Sequence, residues 1–199
     1  MRQLITEQGY DFFEVSSALQ KSIRRGKEDD AMYWAVELYI SNYDEYVWKR
    51  LKIISSEDIG LAEPNLPSNI YALYEMYQQQ KKNDKTGGKT SHRLFLAHAI
   101  VILCRAKKSR LIDHFQIYHF RTHHVERKPI PDYAFDKHTT TGKRHGRGFE
   151  HFFEHGAKLE NVGDVAGEQE YLELCKDVLY RNPPPTPTTQ DDEQKTLFD

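Results

Sequence analysis

Apolar side chains in residues 10–54 return every three to four positions, and only a few residues separate one run from the next. That period belongs to helices buried along one face, and links this short leave successive helices as antiparallel neighbours. "YDFFEVSSALQKSIRR" places Phe12, Val15, Leu19 and Ile23 on one face, with Gly26 as a stop. "KEDDAMYWAVELYIS" opens on acids suited to a helix N-terminus and carries Met32, Ala35, Val36 and Tyr39 as its stripe. "NYDEYVWKRLKIISS" repeats the scheme, with Asp44 as the cap and Val47, Leu51 and Ile54 inward. Trp34 and Trp48 fall in these stripes and read as packing residues. A Pro- and Gly-punctuated connection then leads to a fourth helix over 69–82. "HRLFLAHAIVILCRAKK" is apolar almost all round and reads as a central, buried helix. "SRLIDHFQIYHFRTHH" follows as a sixth, with Leu111, Phe115, Tyr118 and Thr122 facing inward. No run alternates as a strand does, so the expected class is all-α.

Pro129 and Pro131 end the regular pattern. Residues 132–165 are rich in glycine and read as an ordered, loop-rich extension of the helical domain, giving an expected domain of residues 1–165. One more helix is expected over 166–181, with Tyr171, Leu174, Val178 and Leu179 apolar. Residues 182–199, containing "NPPPTPTTQDDEQ", cannot bury a core and read as a disordered tail. Mean hydropathy is −0.76 with 29% charged residues, and no run resembles a signal peptide or a membrane helix, so no membrane partner is expected. Cys104 and Cys175 stand alone without metal-type spacing, which points to a reduced, cytoplasmic chain.

"NDKTGGKTSHR" raises the question of nucleotide binding, because Gly-Lys-Thr closes the phosphate loop G-x-x-x-x-G-K-[ST]. That loop needs a glycine where this chain has Asn83, and a strand in front of it where Leu73, Met76 and Tyr77 recur at helical spacing. The segment reads as a linker between helices. No nucleotide-binding residue, catalytic residue or cofactor is expected.

Charge is segregated along the chain. Residues 105–147 carry eleven Lys and Arg against four Asp and Glu, and residues 148–199 carry four against twelve. Six of the ten histidines also lie in the basic segment. Arg105, Lys107, Lys108, Arg110, Lys143, Arg144 and Arg147 are the candidate DNA-phosphate contacts; a solvated basic face is the competing reading. Phe149 and Phe152 would stack on unpaired bases or, with Phe153, anchor the extension to the core; the second reading is preferred. His119 with His123, and His151 with His155, have the i, i+4 spacing of two metal ligands, but no Cys or Asp completes a known signature. A His-dependent metal nuclease is therefore the alternative function rather than the first, and no metal ligand is assigned. Glu57-Asp58 reads as a pair of acids stabilising a helix end beside Gly60, in preference to a catalytic pair.

Residues 19–64 resemble the C-terminal region of the replication-associated recombination protein A / MgsA group of ATPases, which is related to the Werner-helicase-interacting ATPase. The resemblance lies in Lys21-Ser22-Ile23-Arg24, Asp30-Ala31-x-Tyr33-Trp34, Arg50-Leu51 and Ser56-Glu57-Asp58-Ile59-Gly60-Leu61-Ala62. It continues through "LAHAIVILCRAKKSRLIDHF", with Ala106 where the family has proline, and more loosely to about residue 160. The resemblance implies a clamp-loader-like helical domain without its AAA+ module, hence a non-enzymatic oligomerisation and adaptor domain in DNA replication, recombination or repair. It implies a homo-oligomer, a tetramer by preference, held by the first helices and the 94–104 helix. A separately encoded AAA+ ATPase would be a partner. Gln194, Leu197 and Phe198 are similar to the Gln-x-x-Leu-Phe form of sliding-clamp ligands, which makes a sliding clamp a further expected partner.

Overall fold

The computed structural model describes residues 4–83 and 90–181 of the chain. They are helical, and among them a single isolated bridge between Ile5 and Asp11 is the only β pairing. Two compact units divide the chain, Met1–Arg127 and Lys128–Asp199.

The first unit begins with α1 (Phe12–Arg24), α2 (Glu28–Ile40) and α3 (Asp44–Ile54). Asp11 caps α1 by accepting the amides of Phe13 at 2.8 Å and Glu14 at 3.1 Å. Gly26 follows the helix at φ +69°, a left-handed turn that only glycine adopts without strain. α1 packs along α2, and Phe12, Val15, Leu19 and Ile23 are buried as their spacing requires. Val47, Trp48, Leu51 and Ile54 of α3 are fully buried in the same cluster. Each such side chain removed from water contributes about 1.5–3 kcal/mol, which outweighs the cost of ordering it. Trp34 is half-buried at the cluster's edge, its ring edge-on to Tyr10 at 5.6 Å. Asp44 is the first residue of α3 rather than its cap. Its carboxylate is engaged by the Tyr77 hydroxyl at 2.6 Å and by Lys81, so it joins α3 to α4 (Leu66–Asn83). Val36, expected inward, is exposed on α2, and the buried position is taken by Leu38 and, unexpectedly, Glu37.

The Glu37 carboxylate accepts the Gln8 amide at 2.9 Å and the Gln8 side chain at 2.8 Å. Burial opposes its ionisation, but the Thr6 hydroxyl and both Gln8 donors outweigh that cost and hold it below the ordinary carboxylate value. One acid thus pins residues 6–10 across α2.

α3 runs into a π-turn at Ser55–Ile59 and a 3₁₀ turn at Gly60–Ala62. α4 ends at Asn83 and α5 spans His92–Arg105, so the Gly-Lys-Thr segment, whose Gly88 and Lys89 lie outside the described residues, is flanked by helices. α5 packs on α4 with Leu96, Ala99, Ile100 and Leu103 buried. It is not buried all round: Leu94 and His98 are exposed, so α5 lies against the core rather than inside it.

α6 (Leu111–Thr122) departs further from expectation. None of its residues is buried. Leu111, Phe115 and Tyr118 were expected inward and are exposed, and Thr122 is only half-covered, because α6 meets the core chiefly through the turns at 55–62.

In the second unit, short helices α7 (Thr140–Arg144) and α8 (Phe149–His151) are followed by a π-turn at Phe152–Gly156 and by α9 (Glu168–Arg181). Gly142 lies against the backbone of Asp136, where a Cβ would fall 1.7 Å from the carbonyl oxygen.

Candidate functional site

The sequence motifs scattered over residues 20–113 meet at Asp58. Its carboxylate is fully buried and accepts Arg24 Nε at 2.8 Å and Gln20 Nε2 at 3.1 Å. Gln20 in turn accepts a hydrogen bond from Arg50 of α3. Glu57 faces Arg24 at 3.3 Å and Arg110 at 3.6 Å, and Arg110 also pairs with Asp113. Arg110 Nε lies 3.6 Å from Asp58. Desolvating Asp58 alone would cost several kcal/mol; this shell of guanidinium and amide donors offsets that cost and ties four segments together. Glu57-Asp58 therefore sits beside Gly60 as a structural pair. Each carboxylate is occupied by arginine.

The same node sets the base of α6. The Asp58 carbonyl accepts the Ser109 amide at 2.9 Å, and Ser109 Oγ accepts the Leu111 amide at 3.2 Å. Gly60 adopts φ +49°, and a Cβ there would stand 3.0 Å from Ile112 Cγ1. Beyond this anchorage α6 projects with Phe115 60%, Tyr118 63% and Phe120 81% exposed. These aromatics stand outside the core cluster. The apolar faces of α1, α2 and α3, together with the inward side of α5, are instead largely consumed by the core cluster.

Of the seven basic candidates, four lie in the first unit. Arg105 is exposed and paired with Glu28 at 2.7 Å, a contact that holds the Glu28 carboxyl below its ordinary value. Lys107 is exposed and forms no ion pair among the described residues. Lys108 turns back on α5, donating to the carbonyls of Leu103, Cys104 and Ala106 at 2.6–3.0 Å. Burial pulls its ammonium below the ordinary value, and burial also pushes the neighbouring Cys104 thiol up to about 11. Arg110 belongs to the Asp58 node. The other three lie in the second unit. Lys143 and Arg144 are exposed at the end of α7 and form no ion pair among the described residues. Arg147 is an internal staple: it donates to the carbonyls of Asp132 at 2.8 Å and Phe135 at 2.7 Å and pairs with the Asp132 carboxylate at 2.6 Å. Lys108, Arg110 and Arg147 spend their donors on the fold, a role their positive charge alone did not disclose.

His151 and His155 approach to 4.8 Å between ring centres, while His119 packs on Phe115 at 4.3 Å. Among the described residues no group of three or more His, Cys, Asp and Glu is placed to hold a metal. Phe152 and Phe153 pack edge-on at 5.3 Å, and Lys137 sits 4.0 Å over the Phe149 ring, so these aromatics serve the second unit's own packing. Gln194, Leu197 and Phe198 lie outside the described residues. No helix among the described residues is long and apolar enough to cross a membrane.

The residues that sequence reasoning left without a role are Gln20, Arg24 and Arg50. Gln20 and Arg24 are four apart and flank the buried Leu19 and Ile23, so polar groups beside an inward stripe were the available signal.

The family model described as MgsA AAA+ ATPase C terminal matches residues 26–195. Replication-associated recombination protein A of Haemophilus influenzae is 31% identical over 183 residues, covering 89% of this chain and 38% of that protein. The Bacillus subtilis protein of the same name is 27% identical over 179 residues, 87% of this chain and 39% of its own length. ATPase WRNIP1 of Dictyostelium discoideum is 27% identical over 157 residues, 76% of this chain and 17% of its own length. The chain thus spans less than two fifths of the length of these relatives. It belongs to the MgsA AAA+ ATPase C-terminal family, the helical region found in replication-associated recombination proteins A.

Proposed function

We propose that this chain is a self-associating adaptor domain serving DNA replication, recombination or repair, with no catalytic activity of its own. The observation that carries the reading is α6, a helix anchored by a buried ion-pair node at one end and uncovered along its aromatic length. A helix held rigidly while leaving Phe115, Tyr118 and Phe120 in water is preorganised for association, because little further ordering is needed when it is buried. Membership of an ATPase C-terminal family supports the assembly role and makes an AAA+ module, on this or another chain, the natural partner. A tetramer is the favoured state. Light scattering of the full chain at tens of micromolar tests the reading: a mass several times 23.4 kDa is expected, and a monomer at that mass would overturn it.

DNA contact falls on the residues whose charge is directed outward, Lys107, Lys143, Arg144 and the exposed Arg105. Removing the first three together should flatten the dependence of binding on salt, as fewer counterions are released; an unchanged slope would withdraw them. The tail residues Gln194, Leu197 and Phe198 remain the proposed sliding-clamp ligand, with several copies displayed by an oligomer. A peptide of residues 188–199 should lose binding to the clamp when Leu197 and Phe198 become alanine, and equal binding by both peptides would remove the clamp as a partner.

A further inference from the structure

α9 carries a wider apolar arc than the second unit covers. Leu172 and Leu179 are half-buried, and Lys176 lies 5.9 Å over the Phe153 ring, which fixes the side that faces the unit. Next to that side on the helical wheel stand Tyr171, Leu174, Cys175 and Val178, with the first two and Val178 exposed by 72%, 52% and 61%. Their spacing of three and four residues makes a continuous stripe, and the polar arc of Gln169, Glu173 and Asp177 lies beyond it.

We infer that this stripe pairs antiparallel with the same stripe of a second copy of the chain. The inference rests on the self-association proposed above and assigns it a second surface. The argument for a second copy is self-complementarity. Glu170 and Arg181 are eleven residues apart, three helical turns, and therefore share the flank of α9 on which Leu174 stands. An antiparallel pair brings like flanks together, so a dyad beside residue 176 sets Leu174 against Val178 of the partner subunit. The same dyad sets Arg181 against Glu170 of the partner subunit, twice in each dimer. A parallel pair would instead set this flank against the opposite flank of the partner subunit and leave Glu170 and Arg181 without each other. Antiparallel helix dipoles favour the same arrangement. Arg181 is 76% exposed at its side chain, and its present ion pair is with Asp177 of its own helix at 2.7 Å, so it is free to turn outward. Cys175 lies on the opposite flank and contributes apolar surface only.

Sedimentation equilibrium of the full chain tests the pairing through a charge swap. Glu170→Arg and Arg181→Glu each replace two attractive contacts by two repulsive ones and should weaken self-association on the order of ten-fold. The double variant restores both contacts in reversed sense and should return to within about three-fold of the wild type. Leu174→Asp should also weaken association, with helicity by circular dichroism unchanged in every variant because the substituted side chains are exposed. If the wild type is oligomeric and the single variants associate as it does, or the double variant fails to recover, the α9 pairing is wrong while the adaptor reading stands. A monomeric wild type would end both.

Discussion

Glu37 shows how one side chain can decide a local structure. Its carboxylate is the buried anchor for the Thr6 hydroxyl and the Gln8 donors, and its pKa is depressed because those donors favour the charged form over the cost of burial. A depressed folded-state value means that the stabilisation is fully present above the ordinary glutamate value of 4.5 and is lost as pH falls through the folded value. Glu37→Gln should therefore cost about 1 kcal/mol at neutral pH and should lose less stability than the wild type on acidification. Urea midpoints measured from about pH 7 down to pH 3 check both, and parallel curves for the two proteins would contradict the assignment. No pattern in the sequence separates Glu37 from its solvated neighbours Asp29 and Asp30, since an acid reads the same until the segment that covers it is placed. Asp58 poses the same difficulty. The pair Glu57-Asp58 was legible as a helix-end feature, but its arginine partners come from positions 24 and 110, and only the fold brings them together.

At the scale of elements, the difference between α1 and α6 marks what periodicity can and cannot deliver. Phe12, Val15, Leu19 and Ile23 form a stripe that the neighbouring helices cover, and the stripe located both the helix and its inner face. Leu111, Phe115 and Tyr118 form an equally regular stripe that the core does not reach. A hydrophobic stripe states that a face is to be buried, without stating by which chain. What fixes α6 is its first turn, where Gly60 at φ +49° lets Ile112 approach. Gly60→Ala places a Cβ against Ile112 Cγ1 and forces a backbone conformation unfavourable to alanine, at a cost of about 1–3 kcal/mol. The expected signature is local: amide hydrogen exchange should rise across residues 109–122 more than in α1 or α3. Uniform acceleration through the first unit would show instead that Gly60 serves global stability and not the seating of α6.

For the molecule as a whole, the all-α class and seven helices, α1 to α6 and α9, were legible because each carries a 3.6-residue pattern. The second unit was less so. Its order depends on Arg147 reaching the carbonyls of Asp132 and Phe135, contacts without periodicity. The family is shown by the match over residues 26–195, and the account built on it is that buried charge holds the helical core rigid so that α6 can meet another copy. The most direct measurement is sedimentation velocity of the full chain beside a variant carrying Phe115→Asp and Phe120→Asp, both exposed and therefore harmless to the core. The account predicts an oligomer for the wild type and, for the variant, a species of unchanged helicity no larger than the dimer that α9 alone can hold. A variant that sediments as the wild type does would contradict it.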